Sequence, residues 1–313
     1  MPLKPRKKFR VGIIGLGRMG VKHMKTCLNS SDVSLIAVHD KNIKIENKIG
    51  LEYNIKTIRE ISDFTKNIDI AIIAAPTDKH AEIAKILLSN GIHCLVEKPI
   101  TLYENDAKEL ISIADDKKVV LASGHSERFN PCVLKLKEII KGNAKPISIK
   151  LTRLNALTNF NYTDDVLLDL MIHDIDLINF LGISEPFFFK SFYFNQDNNI
   201  KEESEIKIVT NDNIELKLHV SRNCKETKRE IIINYDSYNI SADLFNKHIS
   251  KNNISESKDY SLTMNDALEM QLDHFIKKIK GKNNLIASAE EALLALSVIN
   301  KIRKLFSKKV IKE

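Results

Sequence analysis

The 313-residue chain reads as two joined folds. The first, over 1–125, is an α/β Rossmann domain with a doubly wound parallel sheet; the second, over 126–313, is an α+β domain with a largely antiparallel open sheet. Three observations predict this. Short apolar runs alternate with helical stretches through the first 125 residues, the rhythm of parallel strands joined by crossover helices. A glycine-rich turn, Gly15-Leu-Gly17-Arg18-Met19-Gly20, separates the first apolar run from the first helix. Beyond residue 125 the alternation gives way to strand-like runs bounded by turn residues.

In chain order, buried strands are expected at Phe9–Gly15, Ser34–Asp40, Asp69–Pro76, His93–Lys98 and Val119–Ser123, with helices at Met19–Asn29, Lys79–Asn90 and Glu104–Lys118. The run from Ile68 to Ala75 is apolar on both faces, as a parallel strand covered on each side requires. Next come an amphipathic helix at Pro131–Lys141, a strand at Lys145–Leu154, and a long, mostly apolar helix at Asp164–Leu181 stopped by Gly182. Antiparallel strands are expected at Phe187–Phe194, Glu205–Val209, Glu215–Ser221 and Glu230–Tyr235, with Asn211-Asp212-Asn213 as a turn. Helices at Asp266–Lys280 and Ala289–Phe306 close the chain. No repeat or low-complexity linker intervenes, so the domains are expected to be tightly joined.

Composition narrows the function classes. Hydrophobic residues at 43% and charged residues at 28% describe a globular protein. The net charge is +7, but its lysines are scattered beside isoleucine and asparagine rather than gathered in a stripe. No nucleic-acid partner is expected, while a basic surface favours phosphate-bearing substrates. Cys27, Cys94, Cys132 and Cys224 lie far apart without a CxxC pair, which argues against a disulfide framework and a zinc cluster and for a reducing compartment. The basic start imitates a signal peptide, yet Arg18 interrupts the apolar run and no small-residue cleavage site follows. No run reaches the roughly 18 apolar residues of a membrane span. The expected location is the cytoplasm.

The glycine turn carries the first chemistry. Gly15 makes the turn tight, Gly17 lets the backbone approach a pyrophosphate, and Gly20 lets the helix pack on the strand. The N–H groups at Arg18 and Met19 open the helix towards an anion. Asp40 ends the second strand, about twenty residues on, where a carboxylate accepts from adenosine ribose hydroxyls and repels a 2′-phosphate; NAD is favoured over NADP. A surface aspartate closing a strand is the plain alternative. Ala75, Pro76, Thr77 and His80 follow the third of these strands at the sheet edge where ligands bind, or they simply enter a helix capped by Thr77 or Asp78 with His80 on its surface.

Glu97-Lys98-Pro99 ends the next strand in the same layer, where Glu97 and Lys98 are expected to contact the cofactor. A lysine there can donate to a substrate hydroxyl and stabilise a developing alkoxide; Pro99, a candidate cis peptide, fixes its direction. Gly124–Pro131 stands at the domain crossover, expected at the lip of a cleft. Its Arg128 and Asn130 either hold a nicotinamide amide or substrate oxygens, or Asn130 only caps the next helix. In Asp169-Leu-Met-Ile-His173-Asp-Ile-Asp176, helical spacing puts an imidazole between two carboxylates on an apolar helix. That suits a general base near neutral pH; buried salt bridging is the alternative. A metal site is not expected, because no further His or Cys stands at ligand spacing.

Taken in order, GIIGLGRMG, Asp40, APT, EKP, GHSERFNP and DLMIHDID resemble the glucose–fructose oxidoreductase/inositol dehydrogenase/MocA family. The likeness runs from about residue 9 to 182, and SAEEALLALSVINKI near the end also fits. The resemblance implies NAD-dependent oxidation of a secondary hydroxyl, with Lys98, Asp169 and His173 as the catalytic set and His173 taking the hydroxyl proton. It implies contacts to substrate from Lys98, Arg128, Asn130, Arg153, Asp169 and His173. It also implies a homodimer or homotetramer assembled through the C-terminal sheet. The motifs look most like the branch that oxidises the 3-hydroxyl of UDP-N-acetylglucosamine. The departure lies between Arg153 and Asp169, where Asn155–Thr163 replaces a Pro/Arg-containing loop. A polyol or free-sugar dehydrogenase is the alternative within enzymes, and a non-catalytic NAD-sensing protein the alternative outside them.

Overall fold

The computed structural model describes residues 8–142, 145–156, 164–183, 187–197, 200–253 and 255–310. The chain begins β1 (Phe9–Ile14), α1 (Arg18–Asn29), β2 (Val33–His39), α2 (Ile43–Tyr53), β3 (Lys56–Thr57), α3 (Ile61–Phe64), β4 (Ile70–Ile73), α4 (Thr77–Ser89), β5 (His93–Val96), α5 (Glu104–Lys117) and β6 (Leu121–Ser123). After a 3₁₀ turn at Ser126–Phe129 come α6 (Pro131–Gly142), β7 (Ser148–Ala156), a π-turn at Leu167–Met171 and α7 (Ile172–Phe180). A run of strands follows: β8 (Phe187–Asp197), β9 (Ile200–Thr210), β10 (Glu215–Cys224), β11 (Lys228–Asn234), β12 (Tyr238–Asp243), β13 (His248–Asn253) and β14 (Ser257–Asp259). The chain ends in α8 (Ala267–Ile279), β15 (Ala287–Ser288) and α9 (Ala289–Val310).

Two compact units result: Met1–Ser126 with Ala267–Leu294, and Glu127–Asp266 with Ala295–Glu313. A single cut after residue 125 therefore misplaces Ala267–Leu294. The reason is pairing and packing: β15 lies antiparallel to β6, Ala287 opposite Ser123, and α8 packs on α1.

In the first unit the strand order is β15-β6-β5-β4-β1-β2-β3. Apart from β15 every pairing is parallel. The direction of winding reverses between β1 and β4, so the ends of those strands form the switch point at which α/β sheets bind ligands. Ile14, Ile73, Val96, Leu87 and Leu110 form part of the buried core beside that edge.

The second unit is an eight-stranded sheet, β14-β13-β12-β11-β7-β10-β9-β8. Among the described residues only β7 and β10 pair in parallel; the rest is antiparallel. Alternate residues of its strands make one buried face: Ile149 and Leu151, Leu216, Leu218 and Val220, Ile231 and Ile233, Ile240 and Ala242. The helix expected from Asp164 to Leu181 is divided, since Leu167–Met171 winds as a π-turn before α7 begins. Such bulges are frequent at functional sites. No helix among the described residues is long and apolar enough to cross a membrane.

Candidate active site

The glycine turn joins β1 to α1. Gly15 has φ +93°, and a Cβ there would stand 2.5 Å from the backbone of Ala74 and Ala75. At Gly20 a Cβ would meet the Gly15 carbonyl oxygen at 1.8 Å. Both glycines are thus demanded by the chain's own packing. Gly17 differs: nothing in the chain lies within 4 Å of its would-be Cβ. Gly17 and Arg18 are exposed, and the first turn of α1 has neither a side-chain cap nor an acidic residue. Its backbone donors therefore face outward with a positive dipole end, the arrangement that receives a phosphate. Gly20→Ala is expected to lower stability by about 1–3 kcal/mol through overpacking; an unchanged thermal midpoint would contradict the packing argument.

Asp40 follows β2 and is half-buried. Its Oδ2 accepts from the Leu16 N–H at 2.7 Å and its Oδ1 from the Asn42 N–H at 2.7 Å. The carboxylate is thereby held against the glycine turn, and each oxygen keeps a second lone pair.

Pro76, exposed, stands before the first residue of α4 and supplies no side-chain cap. His80 is not on the helix surface: it is 1% exposed, with Nδ1 2.9 Å from the Pro99 carbonyl and Nε2 2.8 Å from the Ala75 carbonyl. Both ring nitrogens are turned to the backbone, so His80 ties the end of β4 to the segment after β5 instead of reaching a ligand. That segment is Glu97-Lys98-Pro99, with a cis peptide before Pro99 and a half-buried Lys98.

Glu97 is buried, and its Oε1 lies 2.7 Å from His23 Nε2. Burial is the largest influence on this carboxyl and works against its charge. The hydrogen bond and charge of His23, with the charge and backbone N–H of Lys98, together outweigh it and hold Glu97 below its ordinary range. A depressed carboxyl stabilises the fold above its ordinary range, and that contribution is lost as the pH falls through the depressed value.

In the second unit, Asp165 accepts from the Leu167 and Leu168 N–H groups, each at 3.1 Å, and so caps the π-turn. From Val166 to Ile178 every residue is buried except Asp169 and His173. The two residues spaced one helical turn apart are therefore the two that reach solvent from a segment otherwise in the core.

The aspartates on this segment are matched by arginines. Asp165 pairs with Arg303 at 2.9 Å, Asp174 with Arg153 at 2.9 Å, and Asp176 with Arg128 at 2.6 Å. Asp169 lies 3.5 Å from Arg222 Nη1. Each negative charge is thus met locally, which leaves the carboxylates poorly suited as metal ligands. Among the described residues no group of three or more His, Cys, Asp and Glu side chains could hold a metal ion.

This pairing corrects several expectations. Asp176 is 1% exposed and turned to Arg128. Arg128, also 1% exposed, holds it through Nε and Nη2 in a two-pronged pair. Arg153 is buried against Asp174, with Glu127 at 3.6 Å. Burial works against the Arg153 charge, but the two carboxylates outweigh it and raise its pKa. Asn130 accepts from the Cys132 N–H through Oδ1 and donates to the Leu244 carbonyl through Nδ2, the capping alternative. These three side chains brace the second unit. The replaced loop falls largely on 157–163, outside the described residues.

Sequence reasoning missed His23 and Arg222. Arg222 is 3% exposed, bound to Glu202 at 2.9 Å and to the Asp164 carbonyl at 2.8 Å. Its signal was present: the alternation Leu216, Leu218, Val220 puts residue 222 on the inward row.

Residues 9–125 match the model of the GFO/IDH/MocA oxidoreductase family, NAD-binding Rossmann fold. The strand order, the glycine turn and the Asp40 position agree with it. UDP-N-acetylglucosamine 3-dehydrogenase of Acidithiobacillus ferrooxidans is 32% identical over 57% of this chain and 56% of its own length. Its solved structure superposes with a TM-score of 0.87 and 25% identity, covering 95% of this chain and 97% of that one. Myo-inositol 2-dehydrogenase of Thermotoga maritima is 27% identical over 55% of this chain and 54% of its own length. The sequence likeness thus spans little more than half of these relatives, whereas the likeness in fold covers almost all of the solved one. KijD10, a 3-ketoreductase from Actinomadura kijaniata solved with NADP, shares the fold at a TM-score of 0.84 and 13% identity, covering 95% of this chain and 98% of that one. The glycine cradle agrees with the NAD-binding Rossmann fold that this family model describes.

Proposed function

We propose that this chain is an NAD-dependent oxidoreductase that oxidises a secondary hydroxyl of a sugar carried on a nucleotide, with C3 of a UDP-N-acetylhexosamine as the first candidate. The observation that carries the reading is that Asp169 and His173, one helical turn apart, are the two residues between Val166 and Ile178 that reach solvent, in a chain whose residues 9–125 match an NAD-binding Rossmann model. The named activities of the relatives, both dehydrogenases acting on ring hydroxyls, support it.

The open side of Gly17 and the uncapped first turn of α1 fit a dinucleotide pyrophosphate. In this reading, Gly15–Gly20 hold the phosphates and Asp40 accepts from the adenosine ribose. NAD, when bound, accepts the hydride. His173 takes the hydroxyl proton, Asp169 orients the imidazole, and Lys98 donates to the same oxygen as its charge develops.

Purified protein given NAD with UDP-N-acetylglucosamine, UDP-N-acetylgalactosamine, myo-inositol and glucose is expected to form NADH with a nucleotide sugar. Turnover of inositol or glucose alone would move the proposal to the polyol reading, and binding of NAD without turnover of any sugar would favour the sensor. NAD is also expected to bind more tightly than NADP, by on the order of tenfold, because a 2′-phosphate faces the Asp40 carboxylate. Asp40→Asn narrows that gap. Equal calorimetric affinities for the two cofactors in the parent protein would overturn the role of Asp40.

A further inference from the structure

The first unit buries a polar pair that the proposed chemistry does not use. His23, in the second turn of α1, is 2% exposed, and its Nε2 lies 2.7 Å from Glu97 Oε1. Apolar side chains of similar volume would fill such a space without the cost of desolvating a carboxylate. The pair therefore calls for a reason other than packing.

Its geometry supplies one. The second carboxylate oxygen, Oε2, accepts from the backbone N–H of Lys98 at 3.3 Å. On the other side lies Gly124, after β6, where a Cβ would stand 2.9 Å from both Cα and Cδ of Glu97. Glu97 is thus wedged between helix α1 and the end of β6, with one oxygen on His23 and the other on the peptide that carries the lysine. Because Glu97 is held ionised, its bonds to both donors are charge-assisted and directional.

We propose that His23 is a positioning residue for Lys98: by fixing the Glu97 carboxylate it sets the orientation of the Lys98 peptide and the direction in which the amine is presented. The helix whose N-terminus receives the pyrophosphate is thereby linked to the lysine through one buried side chain. This rests on the reading of Lys98 as the group that donates to the substrate hydroxyl, and the test separates the two.

Lys98 is half-buried, so its amine can be acylated and the labelling rate followed by mass spectrometry, with no turnover required. In His23→Leu the Lys98 rate is expected to change several-fold relative to the other lysines. kcat falls roughly 10- to 100-fold, the scale of a misplaced catalytic group, while NAD affinity stays within about threefold, a difference of under 1 kcal/mol. His23→Gln places an amide N–H near the position of Nε2 and is expected to restore most of both. Glu97→Gln, which keeps the shape and removes the charge, is expected to reproduce the labelling change even if His23→Leu does not fold. Labelling and kcat both within twofold of the parent in folded His23→Leu would overturn the proposal. So would His23→Gln no better than His23→Leu, which would make the role merely structural. Changed labelling in His23→Leu with full turnover in Lys98→Ala would uphold the positioning and remove Lys98 from the chemistry.

Discussion

His173→Ala is expected to lower kcat for sugar oxidation by on the order of 10²–10⁴-fold, the span of a positioned general base. NAD affinity changes little, because the proposed phosphate contacts belong to the Gly15–Gly20 turn of the first unit. Oxidation of an alcohol needs the imidazole without its extra proton, so the parent rate falls on the acidic side, and His173→Ala loses that limb of the profile. Lys98→Ala also lowers kcat, with a larger effect on KM if the amine contacts the reacting hydroxyl. Stopped-flow formation of NADH with the substrate found by the panel measures both. A folded His173→Ala protein turning over within a few-fold of the parent would end the assignment, and Asp169 would lose its role with it.

Arg128→Ala is expected to cost about 3–5 kcal/mol of stability, the scale for removing one partner of a buried ion pair. Arg128 and Asp176 are each 1% exposed and joined by two hydrogen bonds, at 2.8 and 2.6 Å. Truncation leaves Asp176 charged in the core and removes the guanidinium packed over the Phe180 ring, 5.1 Å from its centroid. Urea denaturation measures the loss. The double variant Arg128→Met with Asp176→Leu should recover most of it, since an apolar pair of similar volume removes both charges together. A parent-like denaturation midpoint with lost substrate affinity would instead return Arg128 to the substrate site.

The arginines show where sequence reasoning reached its limit. Arg128 and Arg153 stand near motifs that carry chemistry, and an arginine in such a place is read as an anion ligand. Their partners, Asp176 and Asp174, are remote in sequence, at separations of 48 and 21 residues, and no local pattern announces the pairing. By helical spacing Asp176 also looked like a helix-face neighbour of His173, with Asp174 beside it in the chain. Only the packing of α7 decides which side of the helix is buried, and it buries both.

The first unit was legible because its signals are local. An apolar run, a glycine turn and a following carboxylate each dictate their own backbone: Gly15 needs a positive φ, and Gly20 needs the absence of a Cβ. β12 and β13 escaped notice because each puts few apolar residues on the inner face: Ile240 and Ala242 in one, Ile249 in the other. β15 is two residues long and exists only because β6 offers it an edge. By itself, the sequence determined the doubly wound sheet, the glycine cradle and the one-turn spacing of Asp169 and His173, since each follows from backbone sterics and short-range periodicity. The tertiary structure alone decided that Ala267–Leu294 returns to the first unit, that His80 and His23 turn inward, and that the aspartates around His173 are neutralised by arginines. Those outcomes depend on burial and on charges meeting across long loops, which nearest-neighbour order along the chain does not encode.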